Sequence, residues 1–263
     1  MIKLDNTLRR TIKAQARLRI LSRLPVCVLA AVVYMLPAVF IGVLTSVPMD
    51  AGLMRIVRML LINLVCEVVI LGPIMLGIQY TFVQVARGQT PEMQGIFAPL
   101  GDVREMFRGM RMMLCMGVRV ILLALIPTVL YEAAVYFVLN WMDAQGMNDF
   151  NSMMRAVGLL IIVYCLMLLP AVGLGASYWM GYSALHDDPS IGVWRATKEG
   201  ARLLRGQRWQ MIVFTVSFLP WFIAGLFTCG ILSGFGMIYL CVSLYCLRDR
   251  LEGRQQPEVP PML

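Results

Sequence analysis

The chain lacks the residues and motifs on which most enzymes depend. It contains one histidine in 263 residues, and no G-x-S-x-G, H-E-x-x-H or P-loop sequence occurs in it. Its seven cysteines form no C-x-x-C pair. Cysteines among apolar neighbours are ordinarily packed as small apolar side chains. We therefore expect a protein that is not an enzyme, with no catalytic residues, no metal ion and no cofactor.

Charge is scarce and unevenly distributed. Only 14% of the residues are charged, 59% are hydrophobic, and the mean hydropathy is +0.75. Five stretches are almost free of formal charge: residues 24–47, 59–86, 112–141, 156–185 and 209–247. Each matches or exceeds the roughly 20 apolar residues that cross the hydrocarbon core of a bilayer. This composition excludes an ordinary soluble domain and predicts an all-α, polytopic bundle of transmembrane helices.

The last apolar stretch is too long for one span. As a single straight helix, residues 209–247 would extend about 58 Å, nearly twice the thickness of the hydrocarbon core. Thr228, Gly230, Gly234 and Gly236 lie near its middle, where a tight turn needs small residues. We predict a helical hairpin with helices at 209–227 and 231–247, which gives six spans. The alternative is one long, tilted helix that leaves the membrane.

The positive residues predict the orientation of the bundle. With six spans, nineteen of the 23 lysines and arginines fall in residues 1–23, 87–111, 186–208 and 248–254, which share one side. Because positive residues are retained on the cytoplasmic side, we expect a cell-membrane protein with both termini in the cytoplasm. We divide the chain into a basic interfacial segment (1–23), a membrane domain (24–252) and a disordered, proline-rich tail (253–263). The first apolar run is too long for a cleavable signal peptide.

Three basic segments on that side have an apolar stripe at helical spacing. Residues 3–21, 96–110 and 188–206 are predicted to be helices that lie along the membrane surface. Asp188 is expected to cap the third helix, because Pro189 suits a first helical position. The net charge of +8 is explained by this topology, and no nucleic-acid recognition motif is present. We expect anionic lipid headgroups as partners, and the candidate residues for binding them are Arg104, Arg108, Arg202 and Arg205. The alternative is that the three segments pack on one another without touching lipid.

Three charged residues fall inside the predicted spans, where such residues are often functional. Glu67 and Glu132 are expected at a similar depth and facing the bundle interior, and two carboxyls in one apolar layer could serve proton or cation passage. They could equally be separate structural carboxyls with hydrogen-bond partners such as Asn63. Arg119 lies nearer the opposite end of its span and is expected to extend toward the headgroups. Mid-span prolines can kink helices or break them to line a substrate site.

Several short motifs occur in a characteristic order along the chain. They are Leu-Gly-Pro at 71–73, Ala-Arg-Gly at 86–88, His-Asp-Asp-Pro at 186–189, Leu-Leu-Arg-Gly at 203–206 and Ser-Phe-Leu-Pro-Trp at 217–221. With them, the chain resembles the bacterial integral-membrane family catalogued as domain of unknown function 975, over roughly residues 12–250. The resemblance implies a bacterial membrane protein but no activity, because the family itself has no assigned one.

Two classes of function agree with these observations. The first is a non-catalytic membrane protein that organises the membrane or assists a membrane-protein partner whose identity the sequence does not indicate. The second is a small transporter or channel subunit that uses proline-broken helices and the layer containing Glu67 and Glu132. A water-filled cavity that reaches both glutamates would favour the second class, and a packed apolar core would favour the first.

Overall fold

The computed structural model describes residues 5–44, 53–145, 150–228 and 230–254. All regular structure in these ranges is helical, which confirms the predicted all-α fold. The longer helices are α1 (Asn6–Ser22), α2 (Leu24–Leu44), α3 (Leu53–Cys66), α4 (Gly72–Ala86), α6 (Val103–Ala144), α7 (Phe150–Trp179) and α12 (Ile231–Leu251). The shorter ones are α5 (Ala98–Gly101), α8 (Gly181–Asp187), α9 (Val193–Leu203), α10 (Arg208–Val216) and α11 (Leu219–Phe227).

Within the described ranges, five helices are long and apolar enough to cross a membrane, which makes this a multi-pass membrane protein. They are Leu24–Val43, Val57–Ala86, Val103–Ala144, Met154–Asp187 and Ile231–Leu251. The second joins α3 to α4 through a π-helical turn at Glu67–Leu71, directly before Pro73. A π turn accommodates the main-chain carbonyl groups that a proline leaves without a donor. The tail from residue 255 lies outside the described residues.

The predicted fifth span, residues 209–227, is not one helix. The chain breaks between α10 and α11, and Pro220 occupies the first turn of α11. Gly230 then has a φ of +86°, which an L side chain rarely adopts, and α12 returns along α11. The hairpin is therefore present with its turn at the predicted glycine. The count of six spans stays a prediction, because two nine-residue helices in series are each too short to cross a bilayer alone.

Helix α12 is the centre of the fold. Its span is 61% buried, whereas the other four candidate spans are 11–29% buried. It packs against α1, α2, α4, α7, α9 and α11. Its fully buried residues lie in its second half, where Tyr245 and Leu247 meet Ile12 and Ala16 of α1 in one apolar core. The core therefore lies at the end of the bundle where α1 begins the chain and α12 ends.

Several glycines permit close backbone approaches at this end, and Gly77 and Gly200 show it most clearly. A Cβ atom on Gly77 of α4 would lie 2.0 Å from the carbonyl oxygen of Ile96, and one on Gly200 of α9 would lie 2.5 Å from that of Ser177. Small residues let helices and loops pack this closely inside membrane proteins. Because Gly77 and Gly200 have no side chain, the loop after α4 and the helix after α8 can pack directly against the membrane-spanning helices.

The surface helices differ in detail from the prediction. Residues 96–110 do not form a separate surface helix: after the short α5, residues 103–110 are the first turns of α6, which is 42 residues and about 63 Å long.

The predicted third helix begins at Val193 with Gly192 as its N-cap residue, so Asp188 does not cap it and that prediction is wrong. The Asp188 carboxylate instead accepts hydrogen bonds from the N–H and hydroxyl of Ser190. Pro189 is held in this turn and does not start the helix.

Candidate functional site at the basic end

The four basic segments meet at one end of the bundle, which we call the basic end: residues 5–23, 87–111, 186–208 and 248–254. Tyr239 of α12 donates a hydrogen bond to the carbonyl oxygen of Lys13 at 3.1 Å. The Arg108 guanidinium donates to the carbonyl oxygen of Pro189 at 2.7 Å, which joins the second and third segments. The charge-based grouping of these segments on one side is thus present in the structure as contacts between them.

A cluster of three arginines and three carboxylates ties the basic end together. We call it the polar cluster, and its members are Arg87, Asp187, Arg248, Asp249, Glu252 and Arg254. Arg87 lies 2.6 Å from Asp187 and meets both carboxylate oxygens of Asp249 at 3.3 Å. Arg248 lies 3.1 Å from Asp187 and also donates to the hydroxyl of Ser183. The cluster joins the ends of α4, α8 and α12.

The polar cluster is structural in character, because its charges compensate one another. The side chains of Arg248 and Asp249 are 4% and 3% exposed, so each would be costly to bury without its partners. Asp187 meets three guanidinium groups, from Arg87, Arg248 and Arg254, which leaves its carboxylate no role as a metal ligand. Hydrogen bonding to Asp187 raises the pKa of Arg254, which remains charged. In the described part of the chain, no three His, Cys, Asp or Glu side chains are arranged to hold a metal ion.

Arg119 does not extend toward headgroups as expected. It is 9% exposed, and its guanidinium carbon lies 4.1 Å from the ring centroid of Trp194 and 4.8 Å from that of Tyr178. Its Nη2 donates to the carbonyl oxygen of Trp194 at 3.3 Å. A cation stacked on aromatic faces in this way is stabilised by the ring quadrupole. Arg119 therefore connects α6 to α7 and α9, and the prediction failed because α9 covers this level of α6.

The four arginines proposed to bind headgroups fall into two pairs. Arg108 and Arg202 form ion pairs with Glu105 and Glu199, in the first case alongside the hydrogen bond to Pro189. Arg104 and Arg205 are exposed, and neither forms an ion pair with a described residue. Because the polar cluster is neutral as a set, the positive potential of the basic end comes from exposed residues such as these. Phe107 and Trp194, 51% and 52% exposed, lie in the same segments.

The two intramembrane glutamates are not arranged as a carboxylate layer. Glu67 is half-buried and accepts a hydrogen bond from Asn63 at 3.1 Å, which is the structural alternative considered above. Glu132 is exposed on α6, so the expectation that it faces the bundle interior is wrong. Neither residue lines any of the five cavities described in this structure. Among the described residues, their placement gives no continuous polar route between them.

Two of the cavities beside α12 are apolar. One of about 420 Å³ lies between α6, α7, α10, α11 and α12, and one of about 360 Å³ lies between α2, α4 and α12. Trp179 and Met237 line both. The first is also lined by Val172 and Leu219, which are 56% and 39% exposed, so its wall continues onto the apolar surface of the bundle. Apolar walls of this kind suit hydrocarbon rather than water or ions.

Sequence reasoning missed most of the polar cluster. Arg87, Asp187, Arg248 and Asp249 each stand at or near the end of a predicted span, and the last two alternate in sign within Arg-Asp-Arg at 248–250. Opposite charges placed at the C-terminal ends of spans that run in the same direction are the signal that could have found them. The ion pairs that link the ends of α4, α8 and α12 to one another join residues more than 60 positions apart, which explains why local spacing did not reveal them.

Comparison with known proteins assigns a family but no activity. No curated protein and no solved structure gives a significant match to the chain. The model of one protein family, described as "Protein of unknown function (DUF975)", matches residues 4–254. That range includes every described helix and the whole polar cluster. The chain belongs to this family of proteins of unknown function, DUF975.

Proposed function

We propose that this protein is a non-catalytic membrane protein of the bacterial cell membrane, whose basic end binds the anionic lipids of the cytoplasmic leaflet and presents a fixed surface to lipid or to a membrane-protein partner. The observation that carries the proposal is the basic end itself. Its internal charges are neutralised in the polar cluster, while Arg104 and Arg205 remain exposed and without an ion-pair partner in the described chain. Anionic headgroups attract such residues by about 1 kcal/mol each.

Two further features support a surface role over transport. The aromatic side chains of Phe107 and Trp194 are half exposed beside the basic residues, where aromatic rings favour the interface between water and hydrocarbon. The two apolar cavities beside α12 are not lined by Glu67 or Glu132. A cavity that reaches Glu67 and Glu132 would have supported a transporter, and neither of these two cavities does so.

Binding to liposomes of defined charge tests the proposal. The full-length protein is reconstituted in nanodiscs, and its interaction with added vesicles that contain anionic or only zwitterionic phospholipid is measured at rising salt. We expect preference for the anionic vesicles, weakening with salt as charges are screened. The double variant R104Q/R205Q should bind them several-fold more weakly.

The matched control is R55Q/R58Q, which removes two exposed arginines of α3 from the opposite end of the bundle. It should bind anionic vesicles like the unmodified protein. Equal losses in both double variants would contradict a role for the basic end. The proposed orientation is tested separately by attaching a protease-cleavable tag to each terminus: cleavage of either tag from the outside of intact cells would contradict it.

A further inference from the structure

A groove separates α1 from the α11–α12 hairpin at the basic end. Its volume is about 530 Å³. Helix α1 contributes Lys13, Arg17 and Leu21, and the hairpin contributes Trp221, Phe235 and Tyr239. The groove therefore has a cationic part and an apolar part, and none of the residues considered above as headgroup ligands lines it.

The cationic part lacks a protein counter-ion. Lys13 Nζ donates to the hydroxyl of Ser217 and lies 4.5 Å from the ring centroid of Phe218, but no described carboxylate pairs with it. Arg17 is exposed and forms no ion pair in the described chain. Burial, aided by the positive charge of Arg9, lowers the pKa of Lys13. This contrasts with the polar cluster, in which every arginine has a carboxylate partner.

The apolar part continues toward the membrane-spanning surface. Leu21 and Leu24, 47% and 37% exposed, lie where α1 passes into α2, the first apolar helix. On the other wall, Trp221 is 42% exposed at the start of α11. The groove thus runs from basic side chains to apolar side chains over the junction between an amphipathic helix and a spanning helix. This is the sequence of environments that a phospholipid presents from phosphate to acyl chain.

We propose that this groove binds one anionic phospholipid, with its phosphate between Lys13 and Arg17 and the upper part of an acyl chain against Leu21, Leu24 and Trp221. The site deepens the proposed lipid-binding function by adding a defined lipid position to a diffuse basic surface, and it rests on the same placement of the basic end at a membrane. A bound phosphate supplies the negative charge that no described carboxylate provides to Lys13 and Arg17. The lipid also covers apolar side chains that α1 leaves open.

Native mass spectrometry of the full-length protein in mild detergent tests this site. The protein is titrated with phosphatidylglycerol and, in a parallel arm, with phosphatidylcholine of the same acyl chains. We expect one phosphatidylglycerol molecule to be retained more strongly than the others and more strongly than phosphatidylcholine. K13Q and R17Q should each weaken that first binding step about fivefold. R10Q, which removes an exposed charge of α1 that does not line the groove, should leave it unchanged.

A steric variant tests the apolar part without altering charge. L21W places a larger side chain in the groove and should weaken phosphatidylglycerol binding, with thermal unfolding recorded to show that the fold is retained. Equal binding of the two lipids, binding by K13Q and R17Q at the level of the unmodified protein, or full binding by L21W would each overturn the proposal. Displacement of the lipid by inorganic phosphate would also overturn it, because the site would then recognise the phosphate alone.

The same assay separates this site from the exposed arginines. R104Q/R205Q should keep the first phosphatidylglycerol molecule even though it binds anionic vesicles weakly. If R104Q/R205Q loses the first lipid and K13Q and R17Q keep it, the groove proposal fails while the proposed function stands. If all of these variants behave like the unmodified protein in both assays, both proposals fail.

Discussion

The two ends of this bundle are built in different ways. At the basic end, α4, α12 and α1 bury nearly all of their facing side chains, and a six-member polar cluster closes the core. At the opposite end, α3 has no buried residue among those described, and α7 has none before Gly173. The same protein thus has one end that packs like a soluble core and another whose apolar side chains face outward.

The contrast follows from what surrounds each end. Hydrocarbon is as apolar as leucine, so helices at membrane depth gain little by burying leucine against one another. They associate where small residues allow close approach and where polar groups need partners, and Gly77, Gly200 and the polar cluster supply both at the basic end. We infer that the basic end holds the bundle together, while lipid solvates the opposite end.

The largest expected effect comes from breaking the polar cluster. R248M removes a guanidinium that meets Asp187, Glu252 and Ser183, and leaves their polar groups short of a partner. Loss of one member of a buried charge network costs about 3–5 kcal/mol. We therefore expect a large fall in the midpoint of thermal unfolding in detergent. R58M at the opposite end should change stability by no more than about 0.5 kcal/mol, and an equal fall in both variants would contradict the contrast between the ends.

Glycine substitutions sharpen the same comparison. G77A places a Cβ atom 2.0 Å from the carbonyl oxygen of Ile96, and the required displacement should destabilise the protein by about 1–3 kcal/mol. Gly158 of α7 has no atom within 4 Å of an added Cβ atom. G158A should therefore be neutral or stabilise by up to about 1 kcal/mol through helix propensity. Thermal unfolding of the two variants measures the difference, and a G158A variant as unstable as G77A would show that the opposite end is also closely packed.

A smaller effect is expected where the two ends meet, at Arg119. R119Q removes the cation stacked on Trp194 and Tyr178, an interaction worth about 1–2 kcal/mol at a partly buried site. A double-mutant cycle of R119Q with W194A isolates the pair from other consequences of each change. We expect the two effects on stability to be non-additive. Additive effects would mean that Arg119 and Trp194 are neighbours without energetic coupling.

The smallest effects belong to the intramembrane glutamates. E132Q alters an exposed side chain, and E67Q keeps an oxygen that can accept the hydrogen bond from Asn63. Each should change stability by no more than about 0.5 kcal/mol. Proton and cation flux through proteoliposomes should be at the background level with and without the substitutions. A flux that the unmodified protein supports and either variant abolishes would restore the transporter hypothesis.

The spans were predictable because length and hydropathy are local properties. The apolar runs correspond to α2, the α3–α4 helix, the central part of α6, α7 with α8, and α12, and Gly230 marked the hairpin turn. The break between α10 and α11 was missed, although Pro220 was visible, because a proline can either kink or end a helix. The family resemblance, confirmed over residues 4–254, identified the protein class without identifying an activity.

The candidate site was less predictable because its contacts are long-range. Arg119 and Trp194 lie on α6 and α9, and Arg87, which directly follows α4, pairs with Asp249 of α12, so only the packing of helices brings these residues together. The sequence analysis proposed four arginines as headgroup ligands, but the sequence did not show that two of them, Arg108 and Arg202, already have glutamate partners. Glu132 was assigned to the interior on the rule that membrane carboxyls avoid lipid, and the open packing of α6 at that level places it on the surface.

Hydrogen–deuterium exchange of the full-length protein tests the central claim most directly, by comparing nanodiscs of phosphatidylglycerol with nanodiscs of phosphatidylcholine. If the basic end is the lipid-binding face, anionic lipid should slow exchange in α1, in residues 98–111 and in α9, and leave the first turns of α3 unchanged. Equal protection at both ends, or protection confined to α3 and α11, would contradict the account.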